Sequence, residues 1–327
     1  MDNTRKQALA LSAWQKYSGW GHGRSCETNM NRKDRIDTFG AVSLIAFSAL
    51  LAFNQVVIAV VNDGLQPVFF AGVRSAGAAV CLVLWFWVRR RPLGLERKYL
   101  RAGTVLGTLF AAEFILLFWS LDLTTVSRAS INFYTMPLWF ALMAHFLIPG
   151  ERITPVKALG QALAFTGVVI AILWRDKGGE ASVLGDVLAL VGAIGWASVA
   201  LVARTGLKDV APDRQLLWQV TISAPILLVT ALFFGPFIRD LQPIHLWGLA
   251  FQIVVVVTLG FVFWLWLLSV YPAASVAAFS FLGPVFGVFF GWALLGEEIG
   301  LPVLAALVCV AAGLFLINRP DQVPQKV

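Results

Sequence analysis

Two apolar stretches of this chain close on the same phrase, and that repetition constrains the fold more than any other feature. Pro137 lies inside one stretch, and Gly150-Glu151 follows thirteen residues on; Pro284 lies inside another, and Gly296-Glu297 follows after twelve. One more apolar segment comes after each Gly-Glu, and there each half ends. Runs of membrane-spanning length, about 17–25 mostly apolar residues, number ten: roughly 38–61, 65–88, 101–121, 125–148, 156–174, 184–203, 215–235, 244–268, 273–295 and 300–317. Each half therefore holds five. Five is odd, so the second half must cross the membrane upside down relative to the first, which is how many secondary transporters are built.

Composition agrees that the solvent is lipid. The 327 residues are 59% hydrophobic and 13% charged, where a soluble chain would carry roughly 25% charged residues. The links are short and carry turn signals: Asn62-Asp63-Gly64, Arg89-Arg90-Arg91-Pro92, Asp176-Lys177-Gly178-Gly179, Lys208-Asp209 and Tyr271-Pro272. With the N-terminus inside, 20 of the 25 basic residues fall on the inner side, four (Arg128, Arg175, Lys177, Arg239) fall outside, and Arg74 lies within a span. That bias puts both termini in the cytoplasm. It also accounts for the formal charge of +7 without nucleic acid. Trp85 and Trp87 at an inner end, and Trp119, Trp174, Trp247 and Trp292 near outer ends, read as interfacial anchors.

The expected architecture is all-α and integral to the membrane: ten transmembrane helices as two inverted five-helix repeats. Residues 1–36 are a polar tail, 37–178 the first repeat, 179–319 the second and 320–327 a C-terminal tail. The first tail lacks the apolar core and cleavage site of a secretory signal; it reads as a disordered arm. Met30 is a second plausible start of translation beside Met1.

Several phrases carry a resemblance. Ala129-Ser130-Ile131-Asn132-Phe133-Tyr134 leads to Pro137, Ala274-Ser275-Val276-Ala277 leads to Pro284, and Gly185-Asp186 opens the sixth span ahead of Trp196. With the doubled Pro…Gly-Glu, the chain resembles the drug/metabolite transporter superfamily and, within it, the EamA-type transporters, over about residues 38–319. The resemblance implies export or exchange of small metabolites by alternating access across the cell (inner) membrane. It does not name the substrate.

The residues that could carry this chemistry are the polar ones in hydrocarbon. A charge there is costly and usually faces a partner or a water-filled cavity. Arg74 lies roughly 14 Å and Glu113 roughly 12 Å from the outer ends of their spans at ~1.5 Å per residue. Their signs are opposite and their depths match, so both are expected on one cavity. Glu113 is also the candidate carboxylate for proton coupling. Asn54 and Gln55 sit in the outer half of the first span. Asn132 and Tyr134 sit in the fourth, about 200° apart on a helix, so only one of them can face a given wall. Trp139, Trp196 and Trp266 are candidates for an apolar wall. Aligning Phe114 with Phe261 places Gly260 opposite Glu113, so the first half supplies more of the site's specificity. An anionic group on the substrate suits Arg74, which favours amino acids and organic acids.

Pro137 and Pro284 each remove a helical hydrogen bond and are expected to kink their spans. The Gly-Glu pairs read as a helix-ending Gly and a helix-starting Glu. Gly283, Gly287 and Gly291 form a stripe for close helix approach, within the chain in preference to a dimer contact; the chain reads as a monomer or weak homodimer. His22, His145 and His245 are far apart, and the three cysteines show no metal-ligand spacing. No phosphate loop of the G-x-x-x-x-G-K type occurs. No metal, cofactor or catalytic residue is therefore expected, and a membrane-embedded lipid enzyme or a scaffold are the alternatives.

Overall fold

The structure, a computed structural model, describes residues 36–90, 92–94, 96–148, 153–174, 182–271 and 279–317. Both tails, Met30, Gly150-Glu151 and Ala274–Ala277 lie outside the described residues. In chain order the helices are α1 (Thr38–Gly64), α2 (Pro67–Val88), α3 (Leu100–Leu123), α4 (Val126–Phe133), α5 (Met136–Leu147), α6 (Pro155–Leu173), α7 (Val183–Thr205), α8 (Pro212–Ala231), α9 (Pro243–Phe251), α10 (Gly260–Val270), α11 (Leu282–Leu295) and α12 (Leu301–Ile317). They follow the order of the apolar segments. α1, α2, α3 with the turn before it, α6 and α7 are long and apolar enough to cross a membrane.

Helix starts come from local chemistry. Pro67, Pro155, Pro212 and Pro243 each open a helix, where the missing N–H would have had no intrahelical partner anyway. Side chains take up other orphan N–H groups: Asp37 accepts from Gly40 N at 2.8 Å, and Thr125, Thr154 and Ser182 cap α4, α6 and α7.

Among the described residues, two segments are interrupted midway. The fourth breaks at Tyr134-Thr135 between α4 and α5, with Pro137 in the first turn of α5. The eighth carries a π-helical stretch, Gln252–Leu259, between α9 and α10. Such stretches recur at functional sites, and Val256 and Val257 from this one face the central cavity. The break in the fourth segment falls in the turn just before Pro137, where a proline disturbs a helix. Pro284 sits in the first turn of α11, directly after a 3-10 turn at Phe279–Phe281.

The halves do not fold apart. The most extensive helix pairings all join one half to the other: α6 with α12, α3 with α7 and α8, α2 with α8, and α11 with α1 and α4. Small residues allow the closest approaches. A Cβ on Gly160 would stand 2.8 Å from the Gly313 carbonyl oxygen, so α6 and α12 touch backbone to backbone.

The glycine stripe of α11 lies on α4 of the same chain. Gly283 faces the Tyr134 ring, Gly287 faces Ser130, and Gly291 faces Ser127. Ser130 in turn donates to Gln55 Oε1 of α1 at 2.5 Å. Gly287→Val would drive a branched side chain into Ser130. The expected cost is about 1–3 kcal/mol, the usual range for overpacking, seen as a lower melting midpoint in detergent.

Candidate functional site

Helix ends gather on two faces. On one, Asp37 before α1 accepts a 2.7 Å hydrogen bond from the Tyr271 hydroxyl just past α10. On the other, the end of α1 bonds to the end of α3, which in turn bonds to the start of α7.

This second face is closed by hydrogen bonds. Asn62 Nδ2 donates to the Phe118 carbonyl at 2.9 Å, and Gln66 Nε2 to the Ala231 carbonyl at 2.7 Å. Arg239 holds both carboxylate oxygens of Asp122, at 2.5 and 2.9 Å, and the Asn62 carbonyl at 2.9 Å. The Arg239 and Gln66 backbones add N–H bonds to Gly64 and Phe237.

Beneath this closure lies a cavity of about 730 Å³, within the usual range for small-molecule sites. Its wall runs from Ile58, Leu117 and Phe118 near the closed face down to Leu44, Ala200, Leu216 and Phe279 near the opposite one. The lining is mostly apolar, with Phe110, Phe114, Phe133, Trp196 and Trp264 prominent, and Arg74, Glu113, Asn54, Gln55, Ser75 and Tyr134 as polar points.

Arg74 of α2 is 7% exposed and Glu113 of α3 is 2% exposed. The Arg74 guanidinium carbon stands 4.7 Å from the Phe114 ring centre and 5.6 Å from that of Phe118, a cation–π arrangement that fixes the plane of the group. Phe110, Phe114 and Phe118 recur every four residues on one face of α3 and touch in series, with centroids 4.2 and 5.4 Å apart. Gly195 of α7 lies where a Cβ would stand 3.3 Å from that of Glu113, so α7 packs directly on the root of that side chain. Arg74 and Glu113 line the same cavity, yet no ion pair within 4.0 Å joins them. Arg74 Nε and Glu113 Oε2 are buried and have no hydrogen-bond partner.

The other sequence candidates divide. Asn54 lines the cavity, and its Oδ1 is also without a partner. Tyr134 lines it too, at the break that ends α4. Asn132 and Trp139 do not. Asn132 is wholly buried outside the cavity wall, with no partner for either amide atom. Trp139 turns toward α6, edge-on to Phe165 at 5.3 Å, and donates Nε1–H to Thr135. Asn132 is rotated away from Tyr134 on α4, as their spacing requires, while Trp139 lies past the break at Tyr134-Thr135, on α5. Trp196 is on the wall; Trp266 packs on Phe39 and Phe263 instead, and Trp264 takes that side of the cavity. His145 accepts from the Ile153 N–H at 3.2 Å, a structural role.

Two further features escaped sequence reasoning. Arg128, counted among the outer-side charges, is only 7% exposed: its Nε donates to Asp186 Oδ1 at 3.3 Å and Oδ2 at 3.0 Å, and its Nη2 donates to Oδ2 at 2.8 Å. The Gly-Glu pair needs a correction as well. Gly296 ends α11 in the left-handed region at φ 68°, as expected, but Glu297 starts no helix. Its carboxylate accepts the Val126 and Ser127 N–H groups at 2.5 and 2.9 Å, capping α4 in the other half.

Comparison with known proteins follows this geometry. The model of the EamA-like transporter family matches residues 38–173 and again 183–319. The chain is 22% identical over 280 residues to the uncharacterized transporter YoaV of Bacillus subtilis (strain 168), covering 84% of this chain and 95% of that one. It is 26% identical over 299 residues to a probable amino-acid metabolite efflux pump of Escherichia coli (strain K12), covering 88% and 95%. A solved crystal structure shares the fold, with a TM-score of 0.60 at 17% identity, over 84% of this chain and 96% of the other.

Proposed function

Because the chain belongs to the EamA-like transporter family, with one matched region in each half, we propose that it is a secondary transporter of a small organic solute that works by alternating access. In this reading it makes ten crossings of the cell (inner) membrane as two inverted five-helix repeats, with both termini in the cytoplasm. The closed face is then the outer one. The burial of Arg128 against Asp186 supports that orientation, since it removes a basic residue from the outer loops.

One observation carries the proposal: two buried, oppositely charged and unpartnered side chains, Arg74 and Glu113, face one cavity sealed at one end. A buried charge without a partner costs several kcal/mol in a protein interior, so it is retained where a ligand supplies the partner. Amino acids and organic acids suit Arg74. The relative named as an amino-acid metabolite efflux pump supports export as the direction. Proton coupling, in this reading, runs through Glu113, and Glu113→Gln is expected to leave flux insensitive to a pH gradient.

The test is purified protein in vesicles, offered a broad panel of metabolites. Solute-specific flux, saturable and lost in Arg74→Gln, is expected. Failure to move any solute of the panel would remove the reading.

A further inference from the structure

We infer that the cavity selects a dipolar solute, with a carboxylate on Arg74 and an ammonium group on Glu113, and with an uncharged, apolar remainder: a free amino acid with an apolar side chain, in preference to an organic acid. This rests on the transporter reading of the same cavity and narrows its substrate class.

The argument is one of matched vacancies. Arg74 and Glu113 have opposite charges, yet they do not satisfy each other, and each keeps a buried atom without a hydrogen bond. A simple organic acid would satisfy Arg74 but bring its negative charge beside Glu113. An amine would satisfy Glu113 but bring its positive charge beside Arg74. Like charges brought together in a desolvated site oppose binding, so each single-charge solute meets repulsion as well as attraction. A solute with both charges on neighbouring carbons meets only attraction. Asn54 Oδ1, on the same wall and also without a partner, accepts a further N–H from the ammonium.

The two charged groups are held in place before any solute arrives. The Phe114 and Phe118 rings lie against the guanidinium, and Gly195 brings α7 against the root of Glu113. The rest of the wall, with Phe110, Trp196, Trp264 and Val257, offers apolar surface and no second charged group among the described residues. A third charge on the solute would be desolvated there without compensation, which excludes amino acids with acidic or basic side chains.

The test needs no variant at its first stage. Binding to the detergent-solubilised wild-type protein is measured by calorimetry for leucine, phenylalanine, glutamate and lysine. The series also includes 4-methylpentanoate and 3-phenylpropionate, which lack the ammonium, and isopentylamine and phenethylamine, which lack the carboxylate. Leucine or phenylalanine is expected to bind at least tenfold tighter than either of its single-charge analogues, and tighter than glutamate or lysine. Glu113→Gln should erase the advantage over the analogue without the ammonium, and Glu113→Asp should retain most of it. The inference is overturned if the carboxylates without ammonium bind as well as the amino acids, if glutamate or lysine binds best, or if none of the amino acids binds. In any of these cases the transporter reading stands or falls separately, on flux of the wider panel.

Discussion

Arg128→Met is expected to destabilise the folded protein by about 3–5 kcal/mol, the usual cost of breaking a buried ion pair from one side. The loss is large because Arg128 serves three helices at once. From α4 it bonds both oxygens of Asp186, which is wholly buried in the first turn of α7. Its other contact is the Ala171 carbonyl in the last turn of α6, one of the carbonyls that a helix end leaves open. The charges also suit their positions, with an anion at a helix N-terminus and a cation at a C-terminus. Removing the guanidinium takes three charge-assisted hydrogen bonds from Asp186, which keeps the 2.7 Å hydrogen bond from Thr124. Reversible unfolding in detergent and SDS should read the loss. The double variant Arg128→Met with Asp186→Leu should regain much of it, because an apolar pair leaves no buried charge to desolvate. A single variant as stable as wild type would show that the pair contributes nothing.

How much of this was legible in the sequence depends on the range of the interaction. The positions of the segments follow from hydropathy alone. The helix starts follow from Pro, Ser and Thr within a residue or two of the first turn. Arg74 and Glu113 stand out because any charge in hydrocarbon demands an explanation. The spacing of Phe110, Phe114 and Phe118 was visible too, as the i, i+4 period of one helix face. What distance in sequence hides is pairing. Arg128 and Asp186 are 58 residues apart, and Glu297 and Val126 are 171 apart; no local pattern links either pair. Arg128 therefore counted only as a charge near the outer end of its span, and Glu297 looked like the start of the next helix. The breaks in the fourth and eighth segments were hidden for a related reason. Residues 125–148 and 244–268 each read as one segment of spanning length, and the backbone leaves the α-helix inside both. Trp139 was misplaced by the break in the fourth, since it lies on the far side of it, whereas the choice between Asn132 and Tyr134 turned on the rotation of α4 alone.

Glu297→Ala is expected to release the sealed face and to slow transport at least tenfold. Glu297 is aimed by the end of its own helix. With Gly296 in the left-handed conformation, the Glu297 N–H bonds back to the Gly291 carbonyl at 3.1 Å, the six-residue closure of a Schellman ending. That turn points the carboxylate at α4, where it takes two N–H groups that the helix start leaves open. Gly291 has no side chain to obstruct it: a Cβ there would lie 2.7 Å from the Ser127 hydroxyl and run into the carboxylate itself. The contact is the tip of the whole α11–α4 interface, so the seal between the halves is anchored where the doubled Gly-Glu phrase falls. An N-cap is worth about 0.5–2 kcal/mol, and two charge-assisted bonds place this one at the upper end. A change of about 2 kcal/mol shifts an equilibrium between closed and open states roughly thirtyfold. In a background with Cys26, Cys81 and Cys309 replaced by serine, a cysteine at Ser127 should react slowly with a membrane-impermeant thiol reagent and much faster once Glu297 is alanine. Glu297→Gln keeps an oxygen acceptor but loses the charge, and should fall between. Equal labelling in all three would mean that Glu297 is a local cap with no part in holding the face shut.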